Sequence, residues 1–358
     1  MMIYREAGQI KTNYASDQQI FPITQDRYIF CTLFVFLVVV PPALGSDYLY
    51  EVILFPILAL SLAALGLNIL TGYCGQLSFG TGGFMAIGAY SAFKLMVIFP
   101  WMNVLLVFLL AGMIAAFFGI LIGLPSLRVK GFYLLVTTLA LQFFVEWAIG
   151  RIPWLRAYGP SGEGLSGEIF GVLVMGPSAP AERKYLLMLL IVTVLTLAAK
   201  NLVRGRIGRS WMAIRDMDVA AQLIGIRPFA TKLLAFAVSS FYIGVGGAMY
   251  AMVYQGYVDP SGFELFAASL PILYMIIIGG LGSILGTYFG VAFMVVVPVI
   301  LRNVFPAVGI EIASHVIQHI EFMLFGGLIM FILVVEPRGL AGLWQIVKEK
   351  LRLWPFPH

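Results

Sequence analysis

The sequence predicts an all-α integral membrane protein of about ten transmembrane helices, and three observations carry that prediction. Asp, Glu, Lys and Arg are absent from residues 52–93, 95–127, 233–258 and 265–301, whereas a spanning helix needs only about 20 apolar residues. Hydrophobic residues make up 61% of the 358 and charged residues 11%, which leaves too little polar surface to cover a water-soluble fold. The apolar runs are continuous rather than alternating. In lipid every backbone N–H and C=O needs a partner within its own segment, so that pattern selects helices over a closed barrel. A charge exposed at mid-bilayer costs roughly 2.5–3.5 kcal/mol on insertion, which is why the charge-free stretches mark the spans.

Taken in order, residues 1–28 are polar and mixed in charge, a cytosolic tail without a cleavable leader pattern. The run at 29–45 then serves as an uncleaved anchor. Further spans are expected at 52–71, 77–98, 103–124, 131–150, 185–202, 232–254, 265–282, 284–301 and 320–335, and a cytosolic tail at 336–358. With the N-terminus inside, the inner face carries Arg5, Lys11, Arg27, Arg128, Lys130, Lys200, Arg204, Arg206, Arg209, Arg215, Arg227, Lys232, Arg338, Lys348, Lys350 and Arg352. The outer face keeps Lys94, Arg151, Arg156, Arg183, Lys184 and Arg302. Sixteen against six is the positive-inside pattern and places both termini in the cytosol. The net charge of +5 and the pI of 9.1 come from basic residues dispersed over inside loops without aromatic interleaving. They point to anionic lipid headgroups, not nucleic acid. Cys31 and Cys74 have no sequence support for pairing and read as free thiols.

Two stretches interrupt the spans. Gly66–Gly88 is apolar overall but broken by Gly72, Gly75, Gly80, Gly82 and Gly83, and by the polar Asn68, Thr71, Gln76 and Ser78. Polar, broken backbone at membrane depth is tolerated where it lines a water-filled path or lies buried in protein. Two readings follow. Asn68, Thr71, Gly72, Gln76, Ser78 and Gly80 either line a translocation path or form a tight helix-packing motif in which small residues bring backbones together. Ile278–Gly290, I-G-G-L-G-S-I-L-G-T-Y-F-G, joins the eighth and ninth spans in the same manner. It lacks a G-x-G-x-x-G spacing and a preceding strand, so it is no dinucleotide site. The two halves, spans two to five and seven to ten, are offset by five spans, which reverses orientation and predicts an inverted repeat.

The loop at 203–231 is the longest inside segment. Trp211, Ile214, Val219, Leu223 and Ile226 fall on a 3.6-residue period as an apolar stripe, with Arg215, Asp216, Asp218 and Gln222 mostly off it. Gly225 and Pro228 stop the helix. Such a helix either lies on the lipid headgroups or docks in the groove of a soluble partner.

Here a resemblance enters. A-A-Q-L-I-G-I at 220–226 is similar to the E-A-A-x-x-x-G coupling motif of ABC importer permeases. G-L-N-I-L-T-G-Y-C-G-Q-L-S-F-G, G-R-S-W-M-A-I-R-D and I-I-G-G-L-G-S-I-L-G resemble the LivM branch of the branched-chain amino acid permeases, from about Gly66 to Trp344. Val219 stands where the general motif has Glu. The resemblance implies a type II-like ABC importer permease fold over 29–335, in a bacterial cytoplasmic (inner) membrane. It implies as partners a LivH-like second permease, two cytosolic ATPases (LivG- and LivF-like) and a periplasmic substrate-binding protein. It makes Trp211, Ile214, Arg215, Asp216, Ala220, Ala221, Leu223 and Gly225 the ATPase-coupling candidates. No G-x-x-x-x-G-K-[ST] occurs in the chain, so ATP energy has to arrive through a docked partner.

The outside loop at 151–184 is the longest external one, and structureless connections of that length are functional or disordered. Its G-P-S-G-E-G-L-S-G resembles the family's Gly-rich external segment, which makes Ser161, Gly162 and Gly164 candidates for binding-protein contact. Gln142 and Glu146 share a face of the fifth span; Glu146 either anchors the path or snorkels outward. His315 and His319 have helical metal-ligand spacing with Glu311 and Glu321 nearby, but Val316 takes the place of the Glu that H-E-x-x-H requires. An interfacial polar helix is the expectation there, with no metal, no cofactor and no catalytic residue. The function expected is therefore half of the translocation path of an ATP-driven importer for branched-chain or related amino acids. The alternatives are urea, aromatic acids or other small carboxylates on the same permease, or an ion-coupled carrier, which calls for mid-span carboxylates.

Overall fold

The computed structural model describes residues 24–127, 132–156, 167–169, 172–176, 178–307, 314–336 and 338–353. Its main helices are α1 (Thr24–Leu44), α2 (Leu49–Tyr73), α3 (Thr81–Ile98), α4 (Val104–Ser126), α5 (Phe132–Arg151), α6 (Ala181–Arg204), α7 (Arg206–Asp216) and α8 (Asp218–Leu223). They continue as α9 (Pro228–Gln255), α10 (Leu265–Gly279), α11 (Ile284–Ala307), α12 (Ser314–Val335) and α13 (Gly339–Leu353). Among the described residues seven segments, in α2 to α6, α9 and α11, are long and apolar enough to cross a membrane. Shorter apolar helices at Phe30–Leu44, Leu265–Gly279 and His319–Ile332 fall at the other three expected spans.

The core is built around α9, whose neighbours are α4, α3 and α2. Without a hydrophobic drive between helices in lipid, close approach through small residues holds such bundles together. Gly88 of α3 lies on Gly244 of α9 so closely that a Cβ on Gly88 would sit 2.1 Å from the Gly244 carbonyl oxygen. Gly247 meets the Met85 backbone, Gly246 meets Ala63, and Ala115 of α4 closes the other side of Gly244. Large side chains then seal the centre: Phe84, Phe108, Phe236, Leu62 and Leu65 are fully buried. The outward face of α4, with Leu109, Met113, Phe117 and Leu121 exposed, is the apolar surface that a bilayer or a second membrane subunit would cover.

Three departures from the sequence expectations have physical causes. The third span begins at Thr81, not 77, because residues 74–80 leave the helix. The loop at 151–184 contains an antiparallel hairpin, β1 (Gly167–Ile169) with β2 (Val172–Met175). It packs on the bundle through buried Met175 and through Gly167, which lies against Val104 and Met96. Strands of three and four residues are too short to show a period in sequence. The C-terminal tail contains a helix, α13, seated on the α10–α11 turn, where Ala341 touches Gly280 and Gly286 and Trp344 stacks edge-on with Phe289 at 5.8 Å.

Candidate functional site

α2 and α9 each end in widened, π-helical turns, at 69–73 and 250–255, followed by a glycine with positive φ, Gly75 (+71°) and Gly256 (+76°). Such turns leave backbone groups free and recur at functional sites. After Gly75 the chain runs non-helically for a few residues and then starts α3 inside the bundle. A helix that begins there has orphan N–H groups to satisfy. Side chains supply the acceptors: Gly80 N–H donates to Ser78 Oγ (3.3 Å), Gly82 N–H to Ser269 Oγ (2.7 Å) and Gly83 N–H to Gln142 Oε1. Phe79 N–H donates to Thr138 Oγ1 at 3.0 Å.

Gln142 is the hub. It is fully buried about 15 Å from either end of α5, counting about 1.5 Å per residue. Its Nε2 donates to Glu146 Oε1 (2.7 Å) and to the Phe263 carbonyl (2.7 Å), and its Oε1 also accepts from Ser269 Oγ (3.0 Å). All four hydrogen-bonding positions of the amide are filled. The break after α2 and the break before α10 therefore meet at one side chain near the middle of a span. Glu146 is half-buried and its Oε1 accepts from Gln142 Nε2.

A second junction lies at the end of α2. Asn68, fully buried, donates through Nδ2 to the Ser283 carbonyl (2.9 Å) and Thr287 Oγ1 (2.7 Å), and its Oδ1 accepts from Gly282 N–H (2.9 Å). A Cβ on Gly72 would lie 2.2 Å from Gly282 N, so only glycine lets the two turns touch. Thr71 Oγ1 donates to the Gln76 carbonyl at 3.3 Å. Asn68, Thr71, Gly72, Ser78 and Gly80 are thus packed and engaged inside the chain, while Gln76 is half-buried and Leu77 exposed.

The loop at 203–231 folds as two helices, not one. Met217 is extended (φ −158°, ψ 100°) and separates α7 from α8. The break divides the apolar stripe into two faces. Trp211 (0% exposed) and Ile214 (4%) turn into the bundle, with Trp211 Nε1 donating to the Thr231 carbonyl at 3.1 Å. Val219 (69%), Leu223 (86%) and Ile224 (74%) turn out, as does Met217. Ala221 is buried and Ala220 exposed. Gly225 (φ +88°) has open space around it, so its requirement is the left-handed turn alone. Lys232 Nζ bonds Asp218 Oδ2 at 2.9 Å and ties α8 to the start of α9. Arg215 reaches the other way: its Nη1 donates to the Gly72 carbonyl at 3.0 Å, while Nε and Nη2 engage Asp216 Oδ1 at 2.9 Å.

Ser161, Gly162 and Gly164 lie outside the described residues, as do Arg128, Lys130 and Glu311. Among the described residues no group of three His, Cys, Asp or Glu is placed to hold a metal ion. Glu321 instead accepts from Arg302 Nε at 3.3 Å. Gln142, Thr138, Ser269 and Thr287 are the residues that sequence reasoning left out of the site. The polar line Thr138, Gln142, Glu146 at four-residue steps on one helix was the signal available.

Residues 49–334 match a family model described as branched-chain amino acid transport system / permease component. Two relatives, both the high-affinity branched-chain amino acid transport system permease protein LivM, one of Salmonella typhimurium (strain LT2) and one of Escherichia coli (strain K12), are 30% identical over 297 residues. The match covers 77% of this chain and 66% of each relative, so the chain spans just under two thirds of their length. No solved structure matches.

Proposed function

Because the chain belongs to the branched-chain amino acid permease family, we propose that it forms half of the translocation path of an ATP-driven importer for branched-chain or related small amino acids. In this reading ten spans cross a bacterial inner membrane, with the shorter apolar helices α1, α10 and α12 completing the set. Both termini and the α7–α8 loop face the cytosol, following the sixteen-to-six distribution of basic residues. The partners are a second permease, two ATPases and a periplasmic binding protein. The external segment around Ser161, Gly162 and Gly164 faces that binding protein.

The observation that carries the reading is the two-faced α7–α8 unit. Trp211 and Ile214 bolt it to the membrane domain, and Met217, Val219, Leu223 and Ile224 stand out from it as an apolar knob. On a surface facing water such a patch calls for a partner groove. Ala220 and Gly225 shape the knob, and Arg215 and Asp216 sit at its root. Of the path candidates, Gln76 and Glu146 are the ones left partly open. They offer a passing amino acid polar contacts for its zwitterionic head, while Asn68, Thr71, Gly72, Ser78 and Gly80 fix the broken backbone beside them.

The test is cross-linking. Cysteine at Leu223 or Ile224 is expected to cross-link to a co-expressed ATPase subunit, and Leu223→Asp to release that subunit while the chain still inserts. ATPases that stay bound to Leu223→Asp and show no cross-link would refute the docking assignment.

A further inference from the structure

The two stretches that stand out in the sequence, the broken end of α2 and the α7–α8 loop, are 143 residues apart and joined by one side chain. Arg215 leaves the last turn of α7 and donates Nη1 to the carbonyl of Gly72, within the π-helical end of α2. Its aliphatic stem lies under Gly75, where a Cβ would come within 2.9 Å of Cγ, and Nη1 lies 3.4 Å from where a Cβ on Gly282 would sit. Gly282 in turn donates to Asn68 Oδ1. Asp216 takes the other edge of the guanidinium, which fixes the planar fork so that Nη1 points at the carbonyl. The carbonyls at a helix end have no intrahelical donor; here the missing donor comes from the helix that carries the exposed knob.

We propose that Arg215 is the positioning residue that carries movement of the docked α7–α8 unit to the break at 72–80. This rests on the reading of that unit as the ATPase dock. Trp211, hydrogen-bonded to the start of α9, is the fixed point. Rotation of α7 about it draws on the Gly72 carbonyl, and through Gly72, Gly282 and Asn68 moves the end of α2 against the α10–α11 turn. The break, closed at its far end by Gln142, shifts Gln76 with it. A hydrogen bond from a charged donor is worth about a tenfold change in an equilibrium, enough to bias two arrangements of the break.

The test separates the donor from the stem. Arg215→Met keeps the packing under Gly75 and removes the donor; Arg215→Lys restores one. In proteoliposomes holding the full complex, Arg215→Met is expected to keep its ATPases and to hydrolyse ATP, with amino acid taken up per ATP lowered about tenfold and recovered in Arg215→Lys. Thiol labelling of Gln76→Cys is expected to depend on nucleotide in the wild-type background and to lose that dependence with Arg215→Met. In the unmutated complex, hydrogen exchange over 72–80 is expected to change between the nucleotide-free and ATP-bound states, a readout that does not need the variant to fold. Wild-type coupling in Arg215→Met, or unchanged exchange over 72–80, would overturn the proposal. Loss of the ATPases from Arg215→Met would overturn it too, by making Arg215 a docking contact. Failure of Leu223→Asp to release the ATPases would instead strike the docking assignment.

Discussion

Gln142 illustrates how a single neutral side chain organises a membrane interior. Interhelical hydrogen bonds between side chains in membranes average only about 0.6 kcal/mol, but each orphaned buried backbone group costs about 1–3 kcal/mol. Gln142→Leu strands the Gly83 N–H and the Phe263 carbonyl, so a loss of about 3 kcal/mol and a lower unfolding temperature in detergent are expected. Melting that ranks Leu at or above wild type would remove the hub. Glycines divide just as sharply. Gly244→Val drives a branched side chain into Ala115 and is expected to abolish the folded bundle. Gly327→Ala meets nothing within 4 Å and is expected to leave stability unchanged or slightly raised; thermal denaturation of both variants checks the contrast. At this scale the sequence marked the polar and glycine residues but not their partners. Gln142 bonds residues 121 and 127 positions away, and no local pattern encodes a pairing over that distance.

At the scale of elements, charge-free runs located the helices well because lipid imposes one requirement on all of them. The Leu49–Tyr73, Val104–Ser126 and Ala181–Arg204 helices lie within a few residues of expectation. Where the sequence misled, a local backbone choice was responsible. The period through 211–226 continues across Met217, yet the extended backbone there turns the second half outward, so Trp211 and Ile214 anchor the unit and Leu223 and Ile224 present it. Single cysteines at Met217, Val219, Leu223 and Ile224 are therefore expected to react with a membrane-impermeant maleimide in inside-out vesicles stripped of ATPases and to be protected when ATPases bind. Cysteines at Trp211 and Ile214 are expected to stay unlabelled in both states. Labelling at all six positions alike would mean that α7 does not pack on the bundle. The π-helical ends and positive-φ glycines are shared by α2 and α9, and single turns of that kind are too short to show a period in sequence.

For the whole molecule, the turns at 72–75 and 280–283 and the α7–α8 loop all meet at Arg215, Gly72 and Gly282, segments that the proposed topology puts together on the cytosolic side. The fold class was legible because composition decides it, and the family because several motifs occur in order. The polar junctions were not, because the partners of Asn68 and Gln142 come from distant segments. The central claim, that this chain serves an ATP-driven importer, is tested most directly by uptake of labelled leucine into proteoliposomes containing the chain, its companion permease, the ATPases and the binding protein. Uptake is expected to require ATP on the ATPase side and the binding protein on the other, and to vanish when this chain is omitted or carries Leu223→Asp. Uptake driven by a sodium or proton gradient without ATP, or undiminished in the absence of this chain, would contradict it.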